Sequence, residues 1–334
     1  MTKNTITIKD IAREAGVSPA LVSFVMSNNS AGSAIYRVSD DTSRKVLEVA
    51  RRHNYKPNNS ARALRSGRTN TIGVVLSDVA NPFFAELARY MENHAYKYDY
   101  SVIIASTDEN PEKEKRVIQV LLDKGVDGLI IVPCAGADDI INEIATEGIN
   151  AVLLDREVEG VELDSFILDN NEAARDITER LISKGASHID MVSYSMDITN
   201  ARQREEGYMD AMRRAGLEDV INIHRIAHNN YEGVSDYVRQ AKERGVDGFV
   251  MATNTLSSLV ISSIFKQGYK VPEDFRLACF DRNPLYDIYG KGIIYVSQPI
   301  REFAEKAVDS IIEKVRGQGR PGAVRTVLKP IINE

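Results

Sequence analysis

One short segment occurs twice in this chain, 120 residues apart: Lys124-Gly-Val-Asp-Gly-Leu-Ile-Ile-Val132 returns as Arg244-Gly-Val-Asp-Gly-Phe-Val-Met-Ala252. Each copy contains an apolar run of the kind that forms a strand buried on both faces. Similar runs begin at Thr71 and at Ser101–Ala105, Ala151–Leu154, Ile189–Val192 and Arg276–Phe280, with amphipathic helical stretches between them, among them Pro82–Tyr98 and Lys113–Lys124. Strands that alternate with helices build parallel sheets covered on both faces. A repeat inside that alternation predicts two similar doubly wound α/β lobes. Ligands of such folds bind beyond the carboxyl ends of the strands, which between two lobes means a cleft. The candidate ligand groups at those ends are Asn81-Pro-Phe-Phe84, Asp155-Arg156, Thr253-Asn254, Phe280-Asp281 and Gln298.

The first 70 residues have a different character. They hold 12 Lys and Arg against 5 Asp and Glu, a net +7, whereas the remaining 264 hold 30 against 43, a net −13. A basic head on an acidic body is the charge distribution expected when only the head meets nucleic acid. Thr7-Ile-Lys-Asp10 fits an N-terminal cap, and Ile8, Ile11, Ala12 and Ala15 recur at helical spacing. Gly16 offers the positive φ that ends a helix, Ser18 caps the next one, and Pro19 sits in its first turn. In that second helix Val22, Val25 and Met26 face inward, leaving Pro19, Ala20, Ser23, Phe24 and Ser27 outward. Two short helices joined in this way have the helix-turn-helix shape, whose second helix enters the major groove; an αα-hairpin within a bundle has the same pattern. Ser39 and Thr42 open a third helix, with Val46, Leu47 and Ala50 inward, which ends near His53-Asn54. A small helix rich in Asn, Ala and Arg then runs from Pro57 to Gly67, with Leu64 as its one large apolar side chain. Such a helix is marginal alone. Behind a helix-turn-helix it reads as a minor-groove wedge, with Leu64 entering a base step.

Enzymatic signals are weak. The sequence has no Gly-rich phosphate loop, no Gly-x-Ser-x-Gly elbow and no metal-spaced cluster among its five His and two Cys. Cys134 and Cys279 end apolar runs and are expected in cores. Asp155 and Asp281 are a conceivable carboxylate pair, but nothing marks either as a general acid, and binding a polyol needs the same residue types. With no secretory or membrane-length apolar run, a soluble cytoplasmic protein without cofactor or metal is expected.

In order and spacing, the chain resembles the lactose repressor/galactose repressor (LacI/GalR) family of bacterial transcription regulators over essentially its whole length. The resemblance is carried by Thr7-Ile-Lys-Asp-Ile-Ala-Arg-Glu-Ala-Gly-Val-Ser-Pro19, Val38-Ser-x-x-Thr42, Asn54-Tyr-Lys-Pro-Asn58, Ala61-Arg-Ala-Leu-Arg-Ser-Gly67, Thr71-Ile-Gly-Val74, Asn81-Pro-Phe-Phe84, Arg204-Glu-Glu-Gly-Tyr208, Phe280-Asp281 and Gln298-Pro299. It implies a helix-turn-helix head over residues 1–57 and a hinge over 58–70. It also implies a periplasmic-binding-protein-like body, with one lobe from 71–168 and 299–326 and the other from 169–298 and 327–334. It further implies a homodimer reading a pseudo-palindromic operator and a small-molecule effector, a sugar, sugar phosphate or related metabolite, bound between the lobes. By family position Ser18, Pro19, Ala20, Ser23, Phe24 and Ser27 approach the bases, and Thr7, Ser39, Thr42 and Asn58 hold phosphates. Ala61 and Leu64 belong to the hinge. The effector would contact Asn81, Phe83, Phe84, Asp155, Arg204, His228, Thr253, Asp281 and Gln298.

The chain departs from the family pattern in three places. Phe24 stands where an Arg that reads guanine is usual, and a Phe meets only apolar features such as a thymine methyl. With Pro19 and Ala20 also poor donors, weight shifts to shape, hinge and phosphate contacts. The loop Asn28–Arg37 is longer than the family's. At the cleft, Thr253-Asn254 replaces Asn-Asp and Arg282 replaces a frequent second Asp; Arg282 fits either a phosphorylated or acidic sugar, or a pairing with Asp287. No leucine-heptad tail follows the body, which favours a dimer over a tetramer. The competing reading is a cytoplasmic sugar-binding or sugar-processing protein with an incidental basic head.

Overall fold

The computed structural model describes residues 6–27, 38–55, 67–284, 286 and 292–334. They belong to two compact units, one ending at Thr69 and one beginning at Asn70. The first contains α1 (Ile8–Ala15), α2 (Pro19–Ser27) and α3 (Asp40–Arg52). Its core is small and apolar, built from Ile11, Ala12 and Ala15 of α1, Val22 and Val25 of α2, and Val46, Val49 and Ala50 of α3. Capping fixes where each helix starts. The Asp10 carboxylate accepts both the backbone N–H of Thr7 (3.0 Å) and its hydroxyl (2.7 Å), Ser18 Oγ accepts from the Leu21 N–H (3.2 Å), and Ser39 Oγ accepts from the Thr42 N–H (3.3 Å). Gly16 ends α1 with φ 69°, a backbone state open to glycine at little cost. The hinge helix, with Asn58, Ala61 and Leu64, and the loop Asn28–Arg37 lie outside the described residues.

The second unit contains two six-stranded sheets. The first consists of β1 (Thr71–Leu76), β2 (Ser101–Ser106), β3 (Gly128–Ile131), β4 (Ala151–Leu154), β5 (Asp164–Leu168) and β11 (Arg325–Leu328), all parallel, in the order β11-β5-β4-β3-β1-β2. The second consists of β6 (Ile189–Tyr194), β7 (Asn222–Ile226), β8 (Gly248–Met251), β9 (Arg276–Phe280), β10 (Ile293–Ser297) and β12 (Ile331–Asn333), in the order β12-β10-β9-β8-β6-β7, with only β12 antiparallel. The repeated segments fall on β3 and β8, the fourth strand of each sheet, and both pair from their glycine onward: Gly128 with Ile72 and Gly248 with Ile189. Gly128 also permits a close helix approach, since a Cβ there would lie 2.7 Å from the Ile311 side chain.

Helices α4 (Pro82–Tyr96), α5 (Pro111–Asp123), α6 (Asp138–Thr146) and α11 (Ile300–Val315) follow or cover strands of the first sheet. Helices α7 (Asn170–Ser183), α8 (Thr199–Arg214), α9 (Val234–Glu243) and α10 (Asn254–Lys266) do so for the second. The chain crosses between the sheets three times: after β5, after β10 and after β11. The last crossing comes slightly later than the 326/327 boundary read from the sequence, because β11 stays in register with β5 through Leu328 opposite Leu168. Both cysteines are buried and unpaired.

Candidate functional site

In both sheets the strand order reverses beside the first strand, between β1 and β3 and between β6 and β8. Side chains beyond the carboxyl ends of strands at such a switch point are free of sheet pairing and face a crevice. Here the two crevices face each other and enclose one cavity of about 80 Å³. All nine side chains assigned to the effector by resemblance line it: Asn81, Phe83, Phe84 and Asp155 from the first lobe, and Arg204, His228, Thr253, Asp281 and Gln298 from the second lobe and its crossing. The volume is well below the roughly 300–1,000 Å³ of typical small-molecule sites, so the lobes stand close together.

Asp155 and Asp281 occupy equivalent places, each directly after the third strand of its sheet, β4 and β9. Both adopt φ 65°. A left-handed Asp is tolerated better than most residues but still costs about 1 kcal/mol or more; the bend turns the carboxylate off the strand line and into the cavity. Gln298 Nε2 donates to Asp281 Oδ1 (2.7 Å), and Asn200 Nδ2 donates across the cleft to Asp155 Oδ2 (3.2 Å). Two further bonds span the lobes, from Asn254 Nδ2 to Asn81 Oδ1 (3.0 Å) and from Thr199 Oγ1 to the Glu157 carbonyl (3.1 Å). Asn81 Oδ1 also accepts the Phe83 N–H, so the residue that caps α4 is the one that meets the other lobe.

Arg204 is fixed before any ligand arrives. Its Nε donates to Asn170 Oδ1 (2.7 Å), its Nη1 donates to the Ala252 carbonyl (2.6 Å), and its guanidinium lies over the Phe280 ring, 4.0 Å from the centroid. Aromatic rings form the walls, Phe83 and Phe84 on one side and Tyr194 and His228, edge to face, on the other. Burial pushes both the Asp155 and Asp281 carboxyls above the ordinary carboxylate range, opposed by the guanidinium of Arg204 at both and of Arg156 at Asp155. Burial likewise pulls Arg204 down against the attraction of the two aspartates.

Five buried polar atoms of the lining have no hydrogen-bond partner among the described residues: Ser77 Oγ, Asp155 Oδ1, Arg156 Nε, Ser193 Oγ and Gln298 Oε1. Buried polar atoms are rarely left so, and their convergence on one cavity marks a place where a ligand supplies the missing bonds. Among the described residues, no group of His, Cys, Asp and Glu is arranged to hold a metal ion.

Comparison with known proteins agrees with this layout. Residues 7–58 match bacterial regulatory proteins of the lacI family, residues 69–224 match the periplasmic binding proteins and sugar binding domain of that family, and residues 178–333 match the periplasmic binding protein-like domain. The HTH-type transcriptional regulator RegA of Clostridium saccharobutylicum is 34% identical over 313 residues, 92% of each chain. The chain belongs to the LacI family. Among solved structures, the Lac repressor bound to ONPG in its repressed state superposes with a TM-score of 0.82 at 23% identity, covering 99% of each chain. The Cra transcriptional dual regulator of Pseudomonas putida, in complex with fructose 1-phosphate, shares the fold of the body, with a TM-score of 0.71 at 21% identity over 79% of this chain and 98% of that one. The LacI-family chain is therefore a DNA-binding transcriptional regulator with a sugar-binding type of body, and not an enzyme. No helix among the described residues is long and apolar enough to cross a membrane.

In the head of this LacI-family protein, Ser18, Pro19 and Ala20 are exposed at the start of α2, and Ser23 and Phe24 are half-buried one turn further along it. Thr7 and Ser39 are exposed at the starts of α1 and α3, while Thr42 is half-buried, its hydroxyl 2.8 Å from that of Ser39. Ser27 is the last residue of α2. Asn58, Ala61 and Leu64 fall outside the described residues. Arg282 is exposed on an adjoining depression, with Glu86, Arg301 and Glu302, that shares Phe83, Asp281 and Gln298 with the cavity, so it stands beside the cavity and not in its lining; Asp287 lies outside the described residues.

Sequence reasoning left several lining residues unassigned. Arg156 stands in the candidate ligand pair Asp155-Arg156, but Glu109, Ser193, Tyr194, Asn200 and Tyr231 are not singled out by sequence. Glu109 is unusual among them. It and Asp108 are consecutive left-handed residues, φ 57° and 54°, after β2, and the bend carries its carboxylate onto Arg156, with Oε1 2.6 Å from Nη2 and Oε2 2.8 Å from Nη1. Burial resists ionisation of Glu109, but the Arg156 fork outweighs it and holds the carboxyl below its usual range.

Proposed function

We propose that this LacI-family regulator is a cytoplasmic repressor that binds a pseudo-palindromic operator as a homodimer. Its occupancy of DNA changes when a small carbohydrate or related metabolite enters the cleft between its lobes. The observation that supports this most is the convergence of Asn81, Asp155, Arg204, Asp281 and Gln298 on one aromatic-walled cavity whose remaining polar atoms lack partners. That combination suits a ring with apolar faces and a hydroxyl rim. In the head, Ser18, Pro19, Ala20, Ser23, Phe24 and Ser27 read base edges, while Thr7, Ser39, Thr42 and Asn58 fix the register on phosphates. Ala61 and Leu64 act in the hinge, with Leu64 entering the minor groove. Effector binding alters the angle between the lobes, and with it whether two marginal hinge helices fold together on DNA.

The test is a genomic binding-site selection with purified full-length protein, with and without a panel of neutral sugars and sugar phosphates. A single palindrome whose recovery changes with one compound supports the reading and supplies operator, effector and sign together. Weak, salt-sensitive binding without sequence preference under every condition refutes it, because that is the behaviour of phosphate contacts alone.

A further inference from the structure

Resting on the reading of the cleft as the effector site, we propose that Glu109 sets the charge class of the effector: the cleft takes an uncharged, hydroxyl-rich molecule and rejects phosphorylated or carboxylated ones. A cleft containing two arginines looks at first like an anion site. Both are already committed. Arg156 gives its two terminal nitrogens to the Glu109 carboxylate and donates a further bond from Nη1 to the Pro133 carbonyl (3.0 Å). The pair is almost wholly buried, each side chain 7% exposed, so neither partner is exchanged for water at small cost. Arg204 is tied to Asn170 and to the Ala252 carbonyl and stacked on Phe280.

The ionisable groups around the cavity are Glu109, Asp155 and Asp281 with Arg156 and Arg204; the fork of Arg156 keeps Glu109 charged, whereas burial favours the neutral form of both aspartates. Asp78 adds a further carboxylate to the lining. Glu109 therefore neutralises Arg156 at close range, and an entering phosphate dianion meets Arg204 alone, with its Nε and Nη1 already bonded.

The unpartnered atoms agree in kind. Asp155 Oδ1 and Gln298 Oε1 only accept, Ser77 Oγ and Ser193 Oγ do either, and Arg156 Nε alone only donates. A phosphate dianion brings acceptors and no donors. A hydroxyl brings both, and vicinal hydroxyls match a carboxylate oxygen beside an N–H. The backbone is compatible with this: two adjacent non-glycine residues are left-handed in the turn that carries Glu109 onto Arg156, a turn also tied by Asp108 to Ser106 and Lys113.

The experiment titrates full-length wild type and Glu109→Gln with a panel of neutral pentoses and hexoses, their monophosphates, and inorganic phosphate alone, read by calorimetry and by thermal shift. Wild type should respond to a neutral sugar, and to no monophosphate more tightly than to its neutral parent. E109Q should gain saturable phosphate affinity of roughly 10- to 100-fold, the scale of removing one full charge a few ångströms away at a partly screened site, and the gain should vanish in E109Q/R156Q. Wild type preferring a phosphorylated sugar to its parent overturns the proposal, as does a folded E109Q with unchanged phosphate response. Glu109→Ser, which also removes the charge, replaces E109Q in the same titrations if the Gln variant does not fold. A wild type that responds to no neutral or charged sugar instead refutes the cleft as a sugar site, while the phosphate arm still decides the role of Glu109.

Discussion

Gly207 offers the sharpest mechanical test of how the second lobe holds its ligand groups. It lies in the interior of α8, where alanine would ordinarily raise helix stability by about 1 kcal/mol. A Cβ built on it would stand 2.2 Å from the carbonyl oxygen of Asn171, 2.9 Å from Ala174 Cβ and 3.0 Å from the Arg175 nitrogen. All three belong to the backbone or first side-chain carbon of α7, so nothing rotates out of the way. A carbon needs roughly 3.3 Å from a carbonyl oxygen, and α8 must retreat by about 1 Å. Overpacking of this kind costs about 1–3 kcal/mol, enough to cancel the propensity gain and leave a net loss of up to about 2 kcal/mol. For a body of this size that lowers Tm by up to roughly 8 °C. The same retreat stretches the 2.7 Å bond from Arg204, one turn earlier on α8, to Asn170 at the start of α7, so the response to effector should weaken as well. Differential scanning calorimetry of full-length Gly207→Ala, followed by an effector titration, reads both effects. A Tm raised by the propensity increment, with a normal effector response, would show that the two helices are not in the contact described and that Arg204 does not depend on it.

Removing the cross-cleft bond with Asn254→Ala should favour separated lobes by about 0.5–1.5 kcal/mol; small-angle scattering of the effector-free protein should show a larger radius of gyration, and an unchanged profile would remove the bond from the closing balance. Phe24→Arg should move operator selection toward a guanine-containing half-site by about 1–3 kcal/mol at one position, whereas an unaltered site profile would mean that residue 24 does not face the bases. Asp281 should give a pH signature. Because burial raises its carboxyl in the fold, the folded chain holds a proton that the unfolded chain has released. Its contribution to stability therefore falls as pH rises from the ordinary carboxylate range to the raised value. Asp281→Asn should lose less stability than wild type as pH rises above the ordinary carboxylate range, measured as the slope of Tm against pH; equal slopes would count against a raised Asp281.

The architecture was legible in most strands buried on both faces, although β10, which lies between β9 and β12, was not read. Runs such as Gly128–Ile131 and Gly248–Met251 are continuous and apolar because helices cover them on both sides, and the repeat located both in the same place in the two sheets. β7, β11 and β12 were not read because they sit at sheet edges, where Asn222, Arg225, Arg325 and Asn333 break the apolar pattern. β5 hides for a different reason. It starts with buried Asp164, which polarity assigns to a loop; in the fold that carboxylate accepts bonds from the Ser310 hydroxyl and the Val324 N–H. At the cleft, residues at strand ends carried a positional signal. Glu109 carried none, since a polar Thr-Asp-Glu-Asn turn reads as a solvated loop, and only the paired left-handed residues reveal that its carboxylate turns inward.

The balance between lobe arrangements rests on few contacts. Among the described residues, three side-chain hydrogen bonds join the lobes across the cleft, from Asn254 to Asn81, from Asn200 to Asp155 and from Thr199 to the Glu157 carbonyl. At about 0.5–1.5 kcal/mol net each, they contribute only a few kcal/mol to the closed arrangement, the same order as the roughly 1–3 kcal/mol through which allosteric sites commonly communicate. A ligand therefore needs only a modest difference in affinity between the two arrangements to shift them. Asp155 is where that difference is decided. Its Oδ2 already holds Asn200 while its Oδ1 is open. A hydroxyl that binds Oδ1 and leaves Asn200 in place adds to the closing contacts. One that displaces Asn200 removes a closing contact and favours separation. The two stereochemical choices at a single carboxylate thus lead to opposite lobe movements, and closely related sugars are expected to act on this regulator with opposite sign.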